Sequence, residues 1–219
     1  MSNLFESATI DGSQESTIEF PLFVQFPATQ PPQPLQELIN NFGLVKHAEN
    51  GYFKETDRSP FVLKYGNDNT DEGQSDQASV MPTSTQEPEY KSERNFSTLI
   101  YYLLTPDAPV SKMIMNTSRN IHILQRGRGQ YVLIYPDGKV KSFKVGFDYA
   151  NGEVSQWVVP GGVWKASFLL TNEEFYNGLL ISEVVVPGFE YADYKPFSGF
   201  EQLVELVGEE QAEVLKSLL

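Results

Sequence analysis

Cysteine is absent from the 219 residues, which removes disulfides, thiolate nucleophiles and cysteine-ligated zinc from consideration together. Histidine occurs only twice, as His47 and His122, so a centre built from three imidazoles is excluded. Basic residues are also few: 16 Lys and Arg stand against 29 Asp and Glu, and the net charge of -13 makes nucleic acid and anionic membrane surfaces poor partners. No stretch approaches the roughly 18 apolar residues that a membrane helix needs. Met1 to Phe20 has neither the basic start nor the apolar run of a secretory signal. A cytoplasmic location is expected, with the nucleus as the alternative.

Apolar material is plentiful by contrast. With 40% hydrophobic and 13% aromatic residues, the chain can fill one core, and all-β barrels of this length commonly form a single domain. Residues 1–34 read as a flexible arm, in which Thr17 to Phe26 is apolar enough for an edge strand or a segment packing on a partner subunit. Leu35, Leu38, Ile39 and Phe42 recur at helical spacing between Pro34 and Gly43, which predicts a short amphipathic helix. Residues 66–95 are dominated by polar residues and are expected to form a disordered insertion. Closely spaced strands follow: Ser97 to Thr105, Arg119 to Gln125, a hairpin across Pro136-Asp137-Gly138, Glu153 to Val159, Val163 to Leu170 and Leu179 to Val186. From Phe200 onward, apolar residues on either side of Gly208 predict two short helices, which with residues 196–199 make up a C-terminal extension. Short strands with helices only at the ends describe a sandwich or closed barrel, not a βαβ protein.

Three segments carry a family likeness: His47-Ala-Glu-Asn-Gly-Tyr-Phe-Lys-Glu-Thr-Asp-Arg-Ser59, Ser97-Thr-Leu-Ile-Tyr-Tyr-Leu-Leu104, and Val158-Val-Pro-Gly-Gly-Val-Trp164, continued by Val184-Val-Val-Pro-Gly-Phe189. Together they resemble the cupin superfamily, specifically an uncharacterised bacterial and fungal branch related in fold to the sugar-epimerase-type cupins. The resemblance covers residues 35–195. It implies an all-β cupin double-stranded β-helix (jelly-roll barrel) with short peripheral helices at both ends, and a homodimer built by strand exchange or sheet packing.

Cupins normally hold a metal through three histidines and a glutamate, and this chain does not supply them. Pro160 and Gly162 match the turn of the second cupin motif, but Lys165 stands where its histidine would be. Anchoring the first motif on Gly127 puts Asn120 at the glutamate position and Met113 to Asn116 at the histidine positions. None of these is a plausible divalent-metal ligand set. A site made from His47, His122 and Glu55 requires three residues that nothing in the sequence brings together. We therefore expect no metal and no cofactor.

The polar residues on otherwise apolar strands are the remaining candidates. In Tyr52 to Arg58 a period of two places Phe53, Glu55 and Asp57 on one face and Tyr52, Lys54, Thr56 and Arg58 on the other. Glu55, if buried beside Phe53, would titrate high enough to exchange protons; the alternative is a surface strand or a Glu paired with an Arg. His47, at the head of the best-matching segment, and Glu55 are the catalytic candidates. Tyr52, Arg58, His122, Gln125, Trp164 and Lys165 are the ligand-binding candidates, with a satisfied core histidine as the competing account of His122. The expected function is metal-free binding of a small sugar-like or nucleotide-like molecule. The alternatives are an epimerase or isomerase acting by proton transfer without metal, and a structural or storage protein with a filled barrel.

Overall fold

The computed structural model describes residues 15–64 and 93–219. Its elements, in chain order, are α1 (Leu22–Gln25), α2 (Gln33–Phe42), β1 (Val45–Lys46), β2 (Tyr52–Arg58), β3 (Val62–Lys64), β4 (Glu93–Asn95), β5 (Thr98–Leu104), β6 (Val110–Asn116), β7 (Arg119–Gly127), β8 (Gly129–Ile134), β9 (Val140–Val145), β10 (Gln156–Val159), β11 (Trp164–Leu169), β12 (Leu179–Val186), β13 (Tyr194–Pro196), α3 (Phe200–Val207) and α4 (Glu209–Leu215). Alternation of apolar and polar residues makes each central strand two-sided. Two large antiparallel sheets result, a six-stranded one ordered β1-β2-β5-β12-β7-β10 and a five-stranded one ordered β13-β6-β11-β8-β9, with β3 and β4 paired as a separate two-stranded sheet. The architecture is the expected all-β cupin barrel.

The core between the sheets is built from in-phase residues of both, among them Leu179 and Ile181 of β12, Leu124 of β7, Tyr131 and Leu133 of β8, and Phe143 of β9. Sheet faces that point outward need separate cover. On the five-stranded sheet, Val132, Ala166 and Phe168 lie under Leu203 of α3 and Ala212 and Leu215 of α4. Phe20 completes that cover, its ring centroid 4.6 Å from that of Phe168, so residues expected to form an edge strand or reach a partner pack on their own barrel instead. The local reason is Pro21, which precedes the single helical turn of α1 and cannot donate to a strand ladder. Over the six-stranded sheet, Leu35 and Ile39 of α2 cover Leu103 and Leu180.

Residues 1–14 of the expected N-terminal arm, and 65–92, which include most of the expected polar insertion, lie outside the described residues. Three strands were not foreseen. β4 occupies the last three residues of the expected disordered insertion, where Glu93–Asn95 pair with β3 and Arg94 is buried against Asp193. β6 was obscured by its run of methionines, and β13, three residues ending in a proline, offers no periodicity to read. One glycine is dictated by packing: Gly127 ends β7 at φ 91°, and a Cβ there would lie 2.0 Å from the Gly178 carbonyl oxygen, closer than any L-residue permits.

Candidate functional site

Strand register decides which polar side chains meet. On the inward face of the six-stranded sheet, Glu183 stands opposite Ile100 on one side and His122 on the other, while Trp157 lies opposite His122 and Glu55 opposite Ile100. These five residues form one transverse row. Lys165, inward-facing on β11, crosses from the other sheet and puts Nζ 2.7 Å from Glu183 Oε1 and 3.1 Å from His122 Nε2. Asn120 donates from Nδ2 to the same carboxylate, and the His122 ring stacks on Trp157 at 5.0 Å and 4°.

His122 Nε2 stands 3.1 Å from Lys165 Nζ and 3.3 Å from Glu183 Oε2, so its tautomer sets whether it accepts from the ammonium or donates to the carboxylate. Burial drives the His122 pKa down and Lys165 adds to this, against the opposing pull of Glu183. For Glu183 burial acts in the unfavourable direction, but the Lys165 ammonium and His122 outweigh it and hold the carboxyl well below the usual carboxylate range. With Glu183 and His122 facing two of its three N–H bonds, Lys165 keeps the third for the cavity that it lines.

That cavity measures about 120 Å³ and opens between the sheets. On one wall the turn between β1 and β2 carries His47 and Glu49, where the Glu49 backbone N–H donates to His47 Nδ1 at 3.2 Å. Asn50 and Gly51 adopt φ of 74° and 70°, and this left-handed pair turns the chain so that Glu49 points inward. Ser111 Oγ lies 3.5 Å from Glu49 Oε2. Burial raises the Glu49 carboxyl to about 8, opposed in part by Lys165, so near neutral pH it is held mainly as the acid. Burial also lowers His47 and pushes the Tyr102 and Tyr131 phenols well up. Across the mouth, Arg58 donates to Glu55 at 2.9 Å and to Glu190 at 3.2 Å, beside Phe53, Phe189 and Tyr191.

Of the residues singled out from sequence, His47, Glu55, Arg58 and Lys165 line this cavity and His122 lies in contact beneath it. The other three face elsewhere. Tyr52 points to the outer face under α2 and donates to Asp107 at 2.8 Å. Gln125, on the outer face of β7, donates to Ser182 at 2.9 Å. Trp164, one position out of phase with Lys165, packs on Phe197 at 4.6 Å, away from the barrel interior. Arg58 joins the face of Glu55, contrary to strict alternation, because the β2–β5 register shifts between Glu55 and Asp57. Glu55 is not buried beside Phe53 as the proton-transfer role requires, its side chain being 37% exposed and paired with Arg58.

Glu183 and Glu49 went unnoticed in the sequence. Glu183 had a signal: in Leu179 to Val186 it is the single charge in an apolar strand and in phase with Leu179, Ile181 and Val185. Glu49 had none, because turn residues are ordinarily solvated.

Among the described residues no group of three His, Asp or Glu side chains is placed to hold a metal ion. Where His122 and Glu183 meet, the Lys165 ammonium stands 3.1 Å from one and 2.7 Å from the other, so a cation there would face a fixed positive charge. The donor set does not fit a divalent cation.

Residues 36–197 match the family model described as Cupin superfamily (DUF985). The chain belongs to the cupin superfamily. This cupin is 56% identical over 218 residues to the uncharacterized protein YML079W of Saccharomyces cerevisiae, covering 97% of this chain and 99% of the yeast protein. Among solved structures it resembles a hypothetical protein from Leishmania major, with TM-score 0.64, 26% identity and coverage of 84% of this chain and 97% of the other. Protein SO0799 from Shewanella oneidensis shares the fold at TM-score 0.63 and 22% identity, over 86% of this chain and 97% of the other.

Proposed function

We propose that this cupin binds a small polar molecule, sugar-like or nucleotide-like, inside the barrel without a metal ion, as a kinship with the sugar-epimerase-type cupins suggests. The observation that carries this is the Lys165 ammonium, fixed by Glu183 and His122 with one donor left toward the cavity. A preformed polar anchor in a pocket that also presents aromatic and aliphatic side chains is a usual construction of a small-molecule site. Native mass spectrometry of the freshly purified protein, with elemental analysis, tests it. The expected result is a retained organic mass with metal well below stoichiometry. Stoichiometric zinc, iron or manganese overturns the metal-free proposal, and a barrel that neither retains nor takes up any small molecule points to a structural or storage role.

Proton transfer, the epimerase or isomerase alternative, is favoured by one specific feature. Glu49 is a buried carboxylic acid raised to about 8 next to His47, and an acid or base works best with a pKa near the working pH. Glu49 thereby takes the role that the sequence suggested for Glu55.

The proposal includes a homodimer. Leu99, Val184, Ile121 and Val158 lie opposite one another across β5, β12, β7 and β10 on the outer face of the six-stranded sheet, beyond the end that α2 covers. All four are partly exposed, and such a flat apolar row suits packing against its own copy about a two-fold axis. Val184→Asp is expected to shift the sedimentation coefficient from dimer to monomer while leaving the circular dichroism spectrum unchanged. A wild-type monomer at micromolar concentration refutes the dimer.

No helix among the described residues is long and apolar enough to cross a membrane. A cytoplasmic or nuclear setting, a barrel domain over 35–195 with flanking extensions, and the absence of nucleic-acid and membrane partners complete the proposal. They rest on the lack of cysteine, the motif span and the net charge of -13.

A further inference from the structure

The charges around the cavity discriminate between the two ligand classes. Its two permanent cations are both compensated: Lys165 by Glu183, and Arg58 by Glu55 and Glu190. A phosphate group needs at least one cation, or a cluster of backbone donors, that no carboxylate has already claimed. Any phosphate entering here would meet three carboxylates, those of Glu55, Glu183 and Glu190, against two cations. His47 does not redress the balance, since burial keeps its ring neutral.

Hydrogen bonding supplies the positive half of the case. Asn116 lines the cavity, is 8% exposed, and its Oδ1 is buried without any partner. A buried acceptor left unpaired is costly, and a hydroxyl of a bound molecule would satisfy it. Opposite requirements are met close by: the third N–H of Lys165 and the acid proton of Glu49 are donors, and Ser111 and Ser167 serve either way. Molecules with many hydroxyl groups match such a mixture, because each hydroxyl both donates and accepts.

Size points the same way. One water needs about 10–15 Å³ of cavity, so about 120 Å³ holds on the order of ten such groups. This suits a pentose or hexose.

We infer that the barrel takes an uncharged, unphosphorylated polyhydroxy compound of monosaccharide size, with Asn116 Oδ1 accepting from one of its hydroxyls and Lys165 donating to another oxygen. The inference rests on the small-molecule function proposed above and narrows it to one chemical class.

Saturation-transfer NMR on the full-length protein tests it, with D-glucose, D-galactose, D-xylose and L-arabinose as neutral probes and UMP and UDP as charged ones. At least one neutral sugar is expected to receive saturation and the phosphorylated probes none. Asn116→Leu is expected to weaken the sugar signal by about tenfold in affinity, whereas Asn116→Asp, which keeps the acceptor, retains most of it. Thermal denaturation of both variants checks that they fold, and if Asn116→Leu does not, Ser167→Ala serves as the second variant. Signal from UMP or UDP and not from the sugars overturns the inference while leaving small-molecule binding intact. Signal from none of the probes also overturns it, and retained organic mass in native spectrometry then shows whether the broader proposal survives.

Discussion

Replacing Lys165 by methionine is expected to destabilise the fold by about 3–5 kcal/mol, the usual cost of leaving one partner of a buried ion pair uncompensated. Both side chains of the pair are at most about 10% exposed, so water cannot take over the role of the ammonium. Equilibrium urea denaturation at pH 7 measures the loss. Changing both partners, Lys165→Met with Glu183→Gln, is expected to recover more than half of it, since no buried charge is then stranded.

The pH dependence of the same variants carries the sign. In the wild type the Glu183 carboxyl is depressed; its contribution is therefore present above the unfolded value of about 4.5 and lost as pH falls through the lower folded value. Without Lys165, burial is no longer outweighed, the folded value moves up, and stability falls as pH rises. Between about pH 4.5 and 7 the wild type therefore draws a constant contribution from Glu183, whereas the single variant loses stability from this group as pH rises. A Lys165→Met protein that loses under ~1 kcal/mol with an unchanged slope shows that this ion pair does not organise the barrel.

Glu49→Gln is expected to act at the alkaline side. The Glu49 carboxyl is raised in the folded state to about 8 from 4.5, so its contribution is fully present below about 4.5 and is lost as pH rises through about 8. Over that window the wild type loses on the order of 3–5 kcal/mol from this one group, and a glutamine of nearly the same shape removes the titration. The variant should match the wild type near pH 5 and exceed it in melting temperature near pH 9. Parallel melting curves across that range refute burial of the acid at this turn. If proton transfer is the activity, Glu49→Gln also abolishes exchange of a ligand C–H into deuterated solvent without preventing binding.

Side-chain direction was the part of the site most accessible from sequence. Lys165 and His122 were both recognised as polar groups on apolar strands, because alternation within a strand is a local property. Trp164 and Gln125 were assigned with less care for phase: each is an odd number of positions from its strand's inward residue and necessarily faces out. Tyr52 follows the same rule relative to Phe53. Arg58 breaks it through a register shift that no short-range pattern announces. The outer helices were legible from their spacing, although α2 starts two residues earlier than its first buried leucine suggests, after the prolines that admit a helix start.

What the sequence determined by itself was the class of fold and the chemistry that the site lacks. Two-residue periodicity between turn signals demands sheets packed face to face, and a chain with two histidines and no cysteine cannot assemble the usual metal cage. Only the tertiary structure decided which groups share the interior. Glu49, His122, Lys165 and Glu183 sit on four separate segments, and their meeting depends on strand order and register across two sheets, set by the packing of the whole core and not by any residue's neighbours in the chain.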